Sequence, residues 1–426
     1  MGIQRLVMFG SQHHRNIIHL KLKQKMKQKM SATAAAAWLL RHACNYATFL
    51  GFIWFGIKSN HNHDGSLVAQ NRYCYKWFCL LSRLLISGYF AYRSLALISV
   101  TSNPHMIVLL WIRLVGFLTC TGVIMLMQFW YGQRIVRIVN DFLRLFRRVR
   151  ALPGCQLMQF GGRRELGLLI FKTMCLLYEL ACEFPMLFNE LDVSYILTVL
   201  CDMYITINAM MIGHACFVGF LSVGALYAQV NHYVRHELRR QLRGLEQPNG
   251  QCASRRELKA AGYRLDECLA IYNEIQRVSS SFQELIELPL SLILLFLFLS
   301  MTLVSYFVML NRFRDYSIMM LVVKLFMDLV LLTLAIHGAS SSSRVIKRLS
   351  LENCYVTERN DWHVRLEIFL NRLNFFEFRV NPLGLFEISN ELILVFLSGL
   401  VTYLTYILQY GIQSNQIALN MNSNHI

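Results

Sequence analysis

The chain has 426 residues, 55% of them hydrophobic and only 16% charged, and its formal net charge is +17. With a mean hydropathy of +0.40, this composition excludes an ordinary soluble domain and makes a membrane protein the default. The positive charge lies between apolar runs rather than on one basic face, so nucleic acid is not an expected partner.

Residues 1–33 form a basic amino-terminal segment containing KLKQKMKQKM, and the fresh start MSATAAAAW leaves open whether translation begins at Met1 or Met30. Ala34 to Ile57 is apolar apart from Arg41 and His42, with basic sequence on both sides. Flanking positive charge disfavours translocation of either side, so this stretch is expected to be an interfacial or re-entrant helix. His61-Asn62-His63-Asp64 reads as polar loop surface and not as a metal site.

A spanning helix needs about 20 mostly apolar residues. Seven runs meet or approach this: Trp77 to Val100, Met106 to Tyr131, Leu166 to Phe188, Val193 to Tyr227, Leu285 to Leu310, Ile318 to Ile336 and Leu385 to Tyr410. Arg83 and Arg93 interrupt the first, and the fourth is long enough to project beyond the membrane through Gln229 to Arg243. The connections after the second, fourth and sixth runs are rich in arginine, whereas Thr101 to His105, Asn189 to Asp192 and the tail after Tyr410 contain no Lys or Arg. By the positive-inside rule the amino terminus is expected in the cytoplasm and the carboxyl terminus outside. Helical patterns in the basic connections, such as Arg255 to Phe282 and Val364 to Phe376, suit a cytoplasmic helical anchor.

The fold class is therefore an all-α membrane protein of seven spanning helices: residues 34–410 make the transmembrane domain and 411–426 a short extracellular tail. Arg113, Glu179, Glu183, Asp202, Lys324 and Asp328 are ionisable groups within spans. Lys324 and Asp328 lie one turn apart and pair locally; Arg113 has Glu179, Glu183 or Asp202 as partners. Cysteines such as Cys120, Cys175, Cys182, Cys201 and Cys216 fall in apolar stretches, with no CxxC and no regular spacing for zinc or a disulfide framework. No nucleotide loop, metalloprotease helix or nucleophile elbow occurs, so the sequence offers no catalytic residues and no cofactor site.

In the last run, steps of three or four from Glu391 give Val395, Gly399, Thr402, Tyr406 and Gln409 on one face. Such a stripe suits a water-lined path or polar packing between helices, and the pattern leaves both open. Thr402-Tyr403, five residues, then Gln409-Tyr410 resembles the carboxyl-terminal TYhhhhhQF signature of insect gustatory receptors, where h is hydrophobic. Tyr410 stands where the signature has Phe, and Thr405 is not strictly hydrophobic. Gly384-Leu385-Phe386-Glu387-Ile388 resembles the small, aromatic and acidic segment that opens the same helix in that family.

The resemblance implies a receptor of the plasma membrane of chemosensory neurons, acting as a ligand-gated, non-selective cation channel for bitter or other contact cues. It implies a homotetramer, or a heteromer with related subunits, around a central pore of last helices. Gln409 then falls at the constriction, Tyr406 one turn below it, and Thr402 and Tyr403 in the motif's structural part. The expected small-molecule pocket, in the outer half of the other helices, draws on Trp111, Tyr178, Tyr195, Tyr204, Asn208, Tyr306 and Tyr316. An odorant-type or other seven-helix receptor without its own pore is the alternative.

Overall fold

The computed structural model describes residues 32–60, 66–102, 104–156, 160–183, 192–241, 255–310, 316–345, 364, 367–369, 371 and 378–423. Its elements are α1 (residues 32–49), the hairpin β1 (Phe55–Asn60) and β2 (Ser66–Asn71), α2 (Tyr73–Val100), α3 (Pro104–Phe129), α4 (Gly132–Arg150) and α5 (Arg163–Glu183). They continue with α6 (Val193–Tyr233), a π turn (Val234–Leu238), α7 (Arg255–Leu310), α8 (Tyr316–Val345) and α9 (Glu391–Ser423). Seven of these, α2, α3, α5, α6, α7, α8 and α9, overlap the seven expected spans. The long apolar portions of α3, α6, α7 and α8 qualify as membrane spans on length and composition alone. Arginines interrupt α2, and a lysine and a glutamate interrupt α5.

α6 is apolar all round, as suits a helix with no solvent face. From Ile205 to Leu238 nearly every second residue or better is buried, and α2, α3, α5, α7 and α8 all pack against it. Two glycines permit the closest approaches. A Cβ at Gly219 would stand 2.0 Å from Phe282 Cζ of α7, and one at Gly224 would meet the Ala339 backbone of α8 at 3.4 Å. The helices approach closely there because the side chain has been reduced to a hydrogen.

α7 is one helix of 56 residues through Pro289, roughly 84 Å at 1.5 Å per residue. That is well over twice the roughly 30 Å hydrocarbon core, so α7 runs out of the membrane. Its amino-terminal part packs with α4 and the lower part of α6, burying Leu145, Val149, Val230, Leu238, Leu265 and Ile275. α4 builds this helical base because Val136, Leu145 and Val149 face inward while Arg137, Arg144, Arg147 and Arg150 are exposed. Glu274 of α7 receives Arg144 at 3.0 Å and Arg148 at 2.7 Å. Glu165, at the third position of α5, reaches back to the Gly162 N–H at 2.7 Å and caps that helix.

Three boundaries differ from the sequence expectation. The helix expected over Ala34 to Ile57 ends at residue 49, and Phe55 to Ile57 instead belongs to β1, paired antiparallel with β2. The pairing is completed from outside, since the Asn140 side chain accepts from the Ala69 N–H at 2.7 Å and donates to its carbonyl at 3.2 Å. The last helix starts at Glu391 rather than Leu385, because Leu383 (φ 53) and Gly384 (φ 70) turn the chain and the Ile388 N–H donates to the Val380 carbonyl. Residues 411–423, expected as a tail, continue α9, with no proline or positive-φ residue to stop it. Most of Val364 to Phe376 lies outside the described residues, as do residues 1–31 and the HNHD loop.

Candidate functional site

α9 leaves the bundle with one face attached. Leu392 is buried, Phe396 meets Phe298 of α7 ring to ring at 5.6 Å, and a Cβ at Gly399 would lie 3.3 Å from the same Phe298 ring. Val395, Thr402, Tyr406 and Gln409 lie roughly a quarter turn round from that attachment, at 100° per residue, and all are exposed. Tyr403 is exposed as well, while the Tyr410 side chain falls outside the described set. Thr402 Oγ1 donates to the Ser398 carbonyl at 2.9 Å and Thr405 Oγ1 to that of Val401 at 2.8 Å, so both hydroxyls are satisfied on their own helix. Tyr406 and Gln409 carry the polarity that projects outward.

Between α5 and α8 the charges alternate along a ladder. Lys172 meets Asp328 at 2.6 Å, Asp328 meets Lys324 at 3.0 Å, and Lys324 meets Glu179 at 3.1 Å. All four side chains are less than a tenth exposed. Lys172 and Glu179 share a face of α5 two turns apart, and Lys324 and Asp328 share a face of α8 one turn apart. Lys172 Nζ also lies 5.7 Å over the Phe217 ring of α6, next to the buried His214. Arg113 reaches Asp202 at 3.2 Å, with both side chains about two-fifths exposed, and lies over the rings of Phe90 and Phe117 at 5.8 Å each. The Glu183 side chain is outside the described set.

Arg83 is fully buried and is held by neutral acceptors: its guanidinium donates to Gln128 Oε1 at 2.6 Å and to Asn208 Oδ1 at 2.9 Å. Gln128 in turn donates to the Gly51 and Phe52 carbonyls at 2.8 and 3.1 Å, and Asn208 to the Tyr204 carbonyl at 2.8 Å. The cation thus ties α2 to α3, α6 and the turn after α1 without a carboxylate among the described residues.

The 7tm Chemosensory receptor family model matches residues 40–414. Two Drosophila melanogaster proteins named as gustatory receptors, 93c and 93b, are 45% and 43% identical over 91% and 93% of this chain and 98% and 99% of their own lengths. The chain belongs to the insect gustatory receptor family. The insect olfactory receptor OR5 from Machilis hrabei shares the fold, with a TM-score of 0.58 at 9% identity over 87% of this chain and 99% of that one. The receptor is thus a multi-pass membrane protein of the seven-helix chemosensory fold, in a family of receptors and not of enzymes.

In this receptor the aromatic and polar residues expected to line a ligand pocket have different situations. Asn208 is engaged by Arg83, and Tyr204 donates to the Leu50 carbonyl at 3.4 Å. Trp111 lies on an exposed face of α3; Tyr178, Tyr195 and Tyr306 are half-buried; the Tyr316 side chain falls outside the described residues. Sequence reasoning passed over Lys172, although it lies seven residues before Glu179 in an apolar run and so on the same face. It passed over the Arg83 lock for a different reason, because Gln128 and Asn208 carry no charge and stand 45 and 125 residues away.

Proposed function

We propose that this receptor is a subunit of a tastant-gated, non-selective cation channel in the plasma membrane of chemosensory neurons, with its amino terminus in the cytoplasm. Four subunits, identical or related, place their α9 helices round a central axis, with Thr402, Tyr406 and Gln409 facing it and Gln409 at the constriction. The observation that carries this reading is the exposed polar face of α9, a quarter turn from the face attached to Phe298. Polar groups at membrane depth face protein or water and not lipid. Symmetry-related copies with water between them supply both, and an amide or phenol ring gates by size and wetting.

The arginine-rich α4 and the amino-terminal part of α7 pack into the base at one end of the bundle, which supports placing that end in the cytoplasm. A bitter ligand is supported by a Drosophila melanogaster relative named as a gustatory receptor for bitter taste, 93a, 27% identical over 65% of this chain and 68% of its own length. A small aromatic ligand is also consistent with the olfactory receptor of the same fold solved in complex with eugenol.

The gate is tested by current recordings on the full chain. Gln409→Ala is expected to raise resting current or alter reversal potentials, and Gln409→Leu to reduce conduction, while Leu404→Ile, off the stripe, leaves both unchanged. If Gln409→Ala reaches the surface with leak, selectivity and ligand response all unaltered, α9 does not line the pore and its stripe is packing.

A further inference from the structure

Where α3 leaves the membrane and the basic α4 begins, the hairpin and the start of α2 enclose a cavity of about 190 Å³. Its lining includes Trp54, Asn71, Tyr73, Lys76, Gly132 and Gln133, with no carboxylate. It is smaller than the roughly 300–1,000 Å³ usual for drug-sized ligands and holds about six waters' worth of volume at ~30 Å³ each. That size suits a compact polar group.

Lys76 carries the one charge in the lining among the described residues; the Asn71 side chain also borders the cavity, and its Oδ1 is a buried acceptor with no hydrogen-bond partner among them. Lys76 Nζ stands 3.4 Å from where a Cβ of Gly132 would lie, directly over the amino-terminal end of α4. There the first intrahelical bond is Ile135 N–H to the Tyr131 carbonyl, and Tyr131 provides no side-chain cap. The N–H groups of Gly132, Gln133 and Arg134 thus precede the hydrogen-bonded ladder of the helix. A cation over a helix amino terminus adds like to like, since that end already carries partial positive charge. The one hydrogen bond the Lys76 ammonium makes among the described residues is long, 3.5 Å to the Phe129 carbonyl.

A second observation is independent of the helix end. The Trp54 side chain, 3% exposed, has no hydrogen-bond partner for its Nε1 among the described residues. The indole edge bearing it faces Gly132, with Cζ2 and Cε2 at 3.3 and 3.7 Å from the position of a Cβ there. A buried indole N–H ordinarily finds an acceptor. One anion seated between Lys76, the start of α4 and Trp54 would accept from all three. The cavity opens beside Trp77, Phe129 and Trp130, whose exposed rings stack edge to face at 6.0 and 5.1 Å as an interfacial aromatic belt does.

We propose that this cavity binds a phosphate anion, carried by the headgroup of an anionic phospholipid at the basic end of the bundle. A bound headgroup would tie the hairpin and α2 to the start of α4, and so couple the lipid leaflet to the helical base. The site stands apart from the channel reading; only the name of the leaflet, cytoplasmic, rests on the proposed orientation.

The test uses the full receptor in phosphatidylcholine nanodiscs doped with phosphatidic acid, with retained lipid counted by native mass spectrometry and no tastant or current involved. Wild type and Lys58→Gln, an exposed hairpin lysine outside the cavity, are expected to retain phosphatidic acid equally. Lys76→Gln is expected to weaken retention about tenfold, the effect of losing one charge-assisted hydrogen bond. Trp54→Phe, which keeps an aromatic side chain of smaller size and removes the N–H, is expected to weaken it less. Equal retention by wild type, Lys76→Gln and Trp54→Phe in monodisperse samples would overturn the site. Displacement of the lipid by millimolar inorganic phosphate would overturn the lipid as source and leave a soluble phosphate in its place. Either result leaves the gating experiment on Gln409 unaffected.

Discussion

At the scale of single residues, the receptor handles buried charge in two ways. The ladder of Lys172, Asp328, Lys324 and Glu179 cancels charge within two helices, whereas Arg83 spreads its charge over the amide oxygens of Gln128 and Asn208. Lys324 is the member with two carboxylate partners, at 3.0 and 3.1 Å. Lys324→Met therefore strands a buried negative charge and is expected to cost about 3–5 kcal/mol. Arg113 and Asp202 are two-fifths exposed, so Arg113→Met is expected to cost only about 0–1 kcal/mol through that ion pair. Thermal unfolding of the two variants in detergent checks the ordering. Equal midpoints would mean that the ladder is hydrated.

At the scale of elements, the helical base buries residues from α4, the segment after it, α6 and α7 against one another. Cys155, just after α4, is fully buried, and its thiol lies 3.7 Å from the Gln229 carbonyl of α6. Burial pushes this thiol up to about 11 from an ordinary value near 9. The sign follows from the neutral form being favoured by burial: Cys155 contributes stability that is fully present below about pH 9 and is lost as pH rises towards 11. Two consequences are measurable. At pH 8 an alkylating reagent is expected to spare Cys155 in the folded receptor while modifying the exposed Cys74, and Cys155→Ser is expected to flatten the fall in stability between pH 9 and 11. Rapid labelling of Cys155 under native conditions would mean that the contact between the segment after α4 and α6 opens readily.

At the scale of the whole molecule, the proposed orientation is tested by where the arginine-rich base lies relative to the membrane. An epitope placed within Gln251 to Leu258 is expected to need permeabilisation before antibody reaches it, whereas one after Asn420 is expected to be stained on intact cells. The Lys/Arg asymmetry motivates this expectation. Reversed staining would place the arginine-rich base outside and remove the support for the channel reading.

Much of this protein was legible in the sequence because its solvent is a bilayer. The apolar run length and the arginine-rich connections are one-dimensional signals, and the seven helices fall on the seven runs. The Thr402-Tyr403 and Gln409-Tyr410 segment was likewise readable along the chain, as a resemblance to the signature of the family to which the chain belongs. Local pairing of Lys324 with Asp328 was readable for the same reason, since one turn of helix fixes their separation. What needed the tertiary structure were contacts whose partners are distant in sequence and silent in composition. Arg83 is satisfied by amides 45 and 125 residues away, and the exposed polar face of α9 is defined only by where Phe298 holds the face a quarter turn away. The β hairpin is completed by Asn140 of α4, and the cavity at Gly132 exists only because Trp54 and Lys76 converge there from two other elements. Periodicity tells which residues share a face; only packing decides what that face meets.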